Sequence, residues 1–115
     1  MEEEILWENS TSQFDIKIDF RATTLIEDAT DCIQADFANK SIGGGVLSHG
    51  IVQEEIRFCI NPELFVTMMI CSDMTPNETI SIRGIERFSS YSGYASSFRF
   101  RSPFFDLVPM YVFLS

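Results

Sequence analysis

Gly43, Gly44 and Gly45 stand in a row shortly before Gln53-Glu54-Glu55. Consecutive glycines let the backbone approach a ligand closely and adopt positive φ, so that successive N–H groups can point at phosphate oxygens, and a diphosphate is the natural guest. A glycine run by itself also marks ordinary turns. Adjacent carboxylates point about 100° apart on a helix and to opposite faces on a strand. Glu54 and Glu55 therefore cannot face each other across one glycosidic bond, and they need separate tasks. One can hold a ribose hydroxyl while the other transfers a proton, provided its pKa is raised. Burial and the neighbouring charge raise it, a helix amino terminus lowers it, and the sequence leaves that balance open. Outside such a setting, two successive glutamates are a solvated helix face.

Asp36 and Asn39 fall at the end of a candidate strand, where an α/β sheet presents ligand contacts, although both residue types also form turns. Tyr91 and Tyr94 lie in a small-residue stretch from which a ring can stack on adenine or pack locally. His49 is the only histidine, and its glycine-flanked setting makes it a spectator. No serine or cysteine has nucleophile-elbow spacing. Cys32, Cys59 and Cys71 are odd in number and far apart, which points to reduced thiols rather than a disulfide framework or a zinc site. No metal or cofactor is called for.

The elements that must position these residues follow from periodicity. Phe14, Ile16, Ile18 and Phe20 alternate with polar residues and predict a strand. A second strand is expected over Cys32 to Phe37, and a third over Thr79 to Arg83. A short fourth strand or edge is expected over Phe98 to Arg101. Val52, Ile56 and Ile60 give helical spacing across Ile51 to Ile60. Asn61-Pro62-Glu63 then restarts a helix with an amino-terminal signature, and Leu64, Phe65, Met68 and Met69 form its apolar face. Phe88 to Tyr94 reads as a loop carrying aromatics. Strands alternating with helices predict an α/β domain with a mixed or mainly parallel sheet.

A chain of 115 residues is one domain at most, and 45% hydrophobic with 13% aromatic residues is a globular composition. The net charge of −9 opposes electrostatic capture of a polyanion. No direct DNA binding is expected. The acidity is concentrated, however, because residues 1 to 36 carry ten of the seventeen acidic residues against only Lys17 and Arg21. The acidic opening, Met-Glu-Glu-Glu, is not that of a secretory signal, so the triplets at Asn9 and Asn77 are read as chance. The apolar stretch from Phe104 to Leu114 is too short to span a bilayer and is broken by Asp106 and Pro109.

The segments Ile33-Gln34-Ala35-Asp36-Phe37-Ala38-Asn39, Gly43-Gly44-Gly45, Val52-Gln53-Glu54-Glu55-Ile56-Arg57-Phe58, Ile60-Asn61-Pro62-Glu63-Leu64 and Tyr91-Ser92-Gly93-Tyr94-Ala95 resemble the poly(ADP-ribose) glycohydrolase family in order and spacing. The resemblance runs from about residue 14 to 101. It implies a macrodomain-type α/β fold, a mixed sheet with flanking helices, that cleaves ribose–ribose O-glycosidic bonds of poly(ADP-ribose) and releases ADP-ribose without a cofactor. By that resemblance Glu55 is the catalytic acid, Glu54 positions ribose hydroxyls, and Asp36 and Asn39 support the adjoining pocket. Gln53 contacts the ligand, Gly43, Gly44 and Gly45 line the diphosphate, and Tyr94 packs on the adenine. It also implies a nuclear or cytoplasmic protein of the DNA damage response, with poly(ADP-ribose) or ADP-ribose as partner and no membrane.

Past the tyrosine segment the resemblance stops. Residues 1–102 are expected to form a partial catalytic region lacking the carboxy-terminal part of the family's domain, including a second glycine-rich phosphate loop, with 103–115 an unaligned apolar tail. A non-catalytic ADP-ribose-binding remnant and a non-functional truncated isoform are the alternative readings. The oligomeric state is left open.

Overall fold

The computed structural model describes residues 9–13, 15–30, 32–105, 107 and 110–114, the last five by their backbone alone. Strand β1 (Ile33–Asp36) reverses the usual alternation, because Gln34 and Asp36 are buried while Ile33 and Ala35 face outward. Side chains alternate across a strand, so this short sequence commits a polar face to the interior, which is the pattern of a functional surface rather than a core. Strand β1 runs parallel to β5 (Met110–Leu114), whose other edge pairs antiparallel with β2 (Ile80–Ile85). The sheet order is β1-β5-β2, a mixed sheet as the element pattern predicts. Gly84, at φ +79°, sits where the β2 register shifts between Arg83 and Ile85.

Between β1 and β2 lie helix α1 (Gln53–Ile60), a 3-10 turn over Pro62–Val66 and the single-turn helix α2 (Thr67–Ile70). Proline at the first position of the 3-10 turn loses nothing, since the amide it lacks has no partner there. Phe58 from α1 packs edge to face on Phe65, with ring centroids 5.5 Å apart. Around them Ile42, Leu64 and Ile85 complete a small buried core, with Ala38, Val46, Met68, Ile80 and Ile82 against it. Asn61 closes the end of α1 by donating its side-chain amide to the Glu86 carbonyl, and Phe88 N–H donates to the Ile60 carbonyl. These bonds fix the helix to the chain that enters a second, two-stranded antiparallel sheet, β3 (Ser89–Ser92) with β4 (Arg99–Pro103).

Four expectations are corrected. The strand over Phe14 to Phe20 is not formed in its described part: residues 15–20 have no regular structure and are all exposed, with Ile16 at 61%, Ile18 at 65% and Phe20 at 89% exposure. Alternation makes a strand only where a ladder partner and a surface to cover are both at hand, and among the described residues neither meets this segment. Phe14 lies outside the described residues. The aromatic loop over Phe88 to Tyr94 is instead strand β3 from Ser89 to Ser92, because its serines and Tyr91 pair with β4, and the chain turns through Gly93, Tyr94 and a 3-10 turn over Ala95–Ser97. The second helix is mostly 3-10 before its one α-helical turn. The apolar ending set apart at 103–115 supplies the middle strand of the larger sheet, with Ala35 opposite Phe113 and Ile82 opposite Val112.

Candidate active site

Helix α1 starts with Gln53, Glu54 and Glu55, and the chain before it folds back so that backbone amides meet both carboxylates. Glu54 accepts Gly43 N–H at 2.6 Å on Oε1 and Asn39 N–H at 2.9 Å on Oε2. Glu55 accepts Gly45 N–H at 2.9 Å on Oε1 and Val52 N–H at 2.9 Å on Oε2. The last bond also closes an otherwise orphaned donor at the helix start, the role of an acid three residues into a helix. Both side chains are buried, at 3% and 6% exposure. The two carboxylates take their amides from different parts of the glycine loop.

The glycines make this grip possible. Gly43 and Gly44 have φ of +92° and +49°, a region that side chains with a Cβ rarely adopt. A Cβ on Gly44 would stand 2.6 Å from an oxygen of each glutamate, and one on Gly50 would stand 2.6 Å from Glu55 Oε1. The amides of Gly43 and Gly45 are given to the glutamates, and Gly44 N–H donates to the Ser41 carbonyl. The N–H groups of Gly43 and Gly45 thus point inward at carboxylates and that of Gly44 at a backbone carbonyl, instead of outward, where the sequence pattern placed a phosphate.

Gln53 ties the helix start to the end of β1: Oε1 accepts Phe37 N–H at 2.8 Å and Nε2 donates to the Ala35 carbonyl at 3.1 Å. Asn39 uses its backbone N–H for Glu54, while its side chain accepts Ser41 N–H in a local turn. Asp36 has no such role in a turn. It is fully buried, and neither carboxylate oxygen has a hydrogen-bond partner. Tyr94, half exposed at the tip between β3 and β4, lines a cavity of about 260 Å³ with Gln53, Arg57, Tyr91 and Glu27. His49 is exposed in the glycine loop. Among the described residues, no group of three or more His, Cys, Asp or Glu side chains could hold a metal ion.

The three acids differ in proton affinity. Burial, then the Glu54 charge, pushes the Asp36 carboxyl up to about 7, with Arg57 pulling the other way. Burial also raises Glu54, against the amides of Asn39 and Gly43. For Glu55, burial pushes up, but the amides of Gly45, Val52 and its own residue together hold the carboxyl below its ordinary value. Glu55 is therefore ionised at neutral pH.

Sequence reasoning passed over Arg57, which is 2% exposed, and the cluster beside it. There Tyr91 Oη donates to Glu27 Oε1, and Arg87 Nη1 donates to Asp28 Oδ1 at 3.0 Å. These partners are about sixty positions apart, and no spacing pattern reveals such contacts.

The model of the family described as poly(ADP-ribose) glycohydrolase, macro domain fold, matches residues 5–113. The chain is 59% identical over 83 residues to poly(ADP-ribose) glycohydrolase 1 of Arabidopsis thaliana, covering 71% of this chain and 15% of that protein. It is 51% identical over 83 residues to poly(ADP-ribose) glycohydrolase 1 of Caenorhabditis elegans, covering 72% and 11%. With the probable poly(ADP-ribose) glycohydrolase 2 of Arabidopsis thaliana the identity is 42% over 101 residues, covering 87% and 19%. The chain spans less than a fifth of the length of these curated relatives.

Proposed function

The chain belongs to the poly(ADP-ribose) glycohydrolase family, and from that premise we propose that Asp36 to Glu55 is the ribose-binding and proton-transfer part of a site that hydrolyses poly(ADP-ribose) to ADP-ribose. The observation that carries this reading is the fixing of Glu54 and Glu55 by the amides of Asn39, Gly43, Gly45 and Val52. Such rigid placement of two buried carboxylates is what a bond cleavage through an oxocarbenium-like centre requires. Glu54 orients the ribose hydroxyls, with Asp36 and Asn39 behind it. Glu55 gives a proton to the departing ribose oxygen as the C–O bond breaks. Water then adds to the sugar carbon and returns a proton to Glu55. Since the backbone amides hold Glu55 below its ordinary value, it takes up a proton from solvent as the substrate binds, because the substrate's bulk excludes water and raises the carboxyl's proton affinity.

The cavity beside Tyr94 takes the adenine end in this reading, with Gln53 between it and the glutamates. Gly43, Gly44 and Gly45 lie along the diphosphate in this reading, although the N–H groups of all three serve the protein. The same reading places the protein in the nucleus or cytoplasm, in the response to DNA damage. Three free cysteines support such a reducing compartment. No helix among the described residues is long and apolar enough to cross a membrane.

The test is ADP-ribose release from purified poly(ADP-ribose). The chain is expected to release it, and Glu55→Gln to lose at least about 100-fold in rate. Absence of release from a sample with a cooperative thermal transition overturns hydrolysis. The lowered proton affinity of Glu55 specifically favours a second reading, ADP-ribose binding without turnover, which predicts calorimetric binding in the same inactive sample.

A further inference from the structure

The 3-10 turn Ile26–Asp28 has no buried residue, and Leu25 before it supplies no side-chain cap. A three-residue turn of this kind has no core of its own to fix where it sits. It nevertheless carries Leu25, Ile26 and Glu27 into the lining of the cavity of about 260 Å³, alongside residues of α1 and the two tyrosines of the β3–β4 hairpin. Side chains from elsewhere in the fold hold it there. Gln34 Nε2 donates to the Ala29 carbonyl at 3.0 Å, Tyr91 Oη donates to Glu27, and Arg87 Nη1 donates to Asp28 Oδ1 at 3.0 Å. Arg87 itself stands outside the lining. It is 6% exposed, its Nε donates to the Ser89 carbonyl at 3.1 Å, and its Cζ lies 4.3 Å from the centroid of the Phe104 ring.

We propose that Arg87 is a positioning residue of the cavity: through Asp28 it fixes the Ile26–Asp28 turn as a wall, and so sets the fit of the ligand's adenine end. The proposal rests on the reading of this cavity as the adenine end of the site, and it adds the residue that holds its wall from behind. An ion pair between two freely rotating surface side chains does little, because ordering them costs about as much as the attraction gains. Here one partner is ordered already. The planar guanidinium is bonded to the Ser89 carbonyl and lies over an aromatic ring, so its third contact, to Asp28, is aimed by the first two. The side chain of Asp28 is 44% exposed, and its capture by a buried cation ties a surface turn to the body of the fold. Phe104 follows β4, so the hold on the cavity wall extends to the chain leaving the second sheet.

The experiment compares the wild-type chain with Arg87→Met, Asp28→Asn and the double variant by amide hydrogen exchange without ligand and by calorimetric titration with ADP-ribose. The Ala29 amide, which donates to the Ile26 carbonyl at 3.1 Å and closes the turn, should exchange at least about tenfold faster in both single variants. The Ile56 amide of α1, bonded to the Val52 carbonyl at 2.9 Å, should stay within about twofold. ADP-ribose affinity should fall at least about fivefold in each single variant, and the double variant should be no weaker than the weaker single one, because the two residues act through one contact. Asp28→Asn, a conservative change at a half-exposed side chain, keeps the test available if Arg87→Met does not fold. Unchanged Ala29 exchange overturns the proposal, as does a lowered melting temperature with affinity unchanged, which is what a merely structural arginine gives. Fully multiplicative losses in the double variant overturn it too, since Arg87 then does not act through Asp28. No binding by the folded wild-type chain counts against the parent reading of the site, whereas unchanged exchange with wild-type binding intact counts against this proposal alone.

Discussion

Glu54 and Glu55 on one side of the site, and Asp36 with Arg57 on the other, are all more than nine-tenths buried, yet the chain treats them in opposite ways. Each glutamate oxygen accepts a backbone amide, so position is set by the fold of the glycine loop, and the amides pull against burial, which wins in Glu54 and loses in Glu55. The oxygens of Asp36 accept no hydrogen bond and the terminal nitrogens of Arg57 donate none, so burial first and neighbouring charges second set their state. A carboxyl held below its ordinary value in Glu55 thus contrasts with one lifted to about 7 in the more deeply buried Asp36. The difference teaches that hydrogen-bond supply and desolvation together decide how a buried acid behaves, since Glu54 is still raised with two amides on it.

The strongest way to break the glutamate side is Gly44→Ala. A methyl group there meets two carboxylate oxygens at 2.6 Å at a φ of +49°, so ADP-ribose binding and release should become undetectable. Stability should fall by at least about 2 kcal/mol in a thermal or denaturant melt. Gly84→Ala is the control, since φ is +79° but nothing lies within 4 Å. It should lose only about 1 kcal/mol. If the two variants behave alike, backbone strain and not the carboxylate grip is what Gly44 serves.

Asp36→Asn probes the other side through pH. The folded Asp36 carboxyl is raised from 3.8 to about 7, so folding favours its protonated form. Its contribution is fully present at acid pH and is lost as pH rises from about 4 to about 7, at about 1.4 kcal/mol per pH unit. Asp36→Asn should flatten that slope in melts taken across the window. An unchanged slope would remove Asp36 from the comparison.

Gln53→Ala is the smallest of the changes. It deletes two bonds between α1 and β1, at 2.8 and 3.1 Å, and should lower stability by about 1–2 kcal/mol. Weaker ADP-ribose affinity at unchanged stability would instead make Gln53 a ligand contact, as the family resemblance has it.

How much of this was legible in advance differs by element. Strand β1, helix α1 and strand β2 were readable because their patterns are local: short apolar runs, helical spacing through Val52, Ile56 and Ile60, and alternation at Ile80 and Ile82. The segment from Phe14 to Phe20 has the clearest alternation in the chain, yet its described part is irregular, because pairing is a property of neighbours and not of pattern. Residues 110–114 show the converse, as an apolar run whose place in the middle of the sheet depends on β1 and β2 flanking it. At the site, the glycines and glutamates stood out by type and spacing. The direction of the glycine amides did not, since it depends on positive φ at Gly43 and Gly44. Arg57 stayed hidden because its burial comes from residues far away in sequence.

The central claim is that the glycine loop holds Glu54 for a ribose. Calorimetric titration of ADP-ribose into the folded chain, beside Glu54→Gln, tests it most directly. Exothermic binding by the chain is predicted, with affinity at least about tenfold weaker in Glu54→Gln, the loss of one charged hydrogen-bond acceptor. No binding by a demonstrably folded chain, or equal affinity in the two proteins, would contradict it.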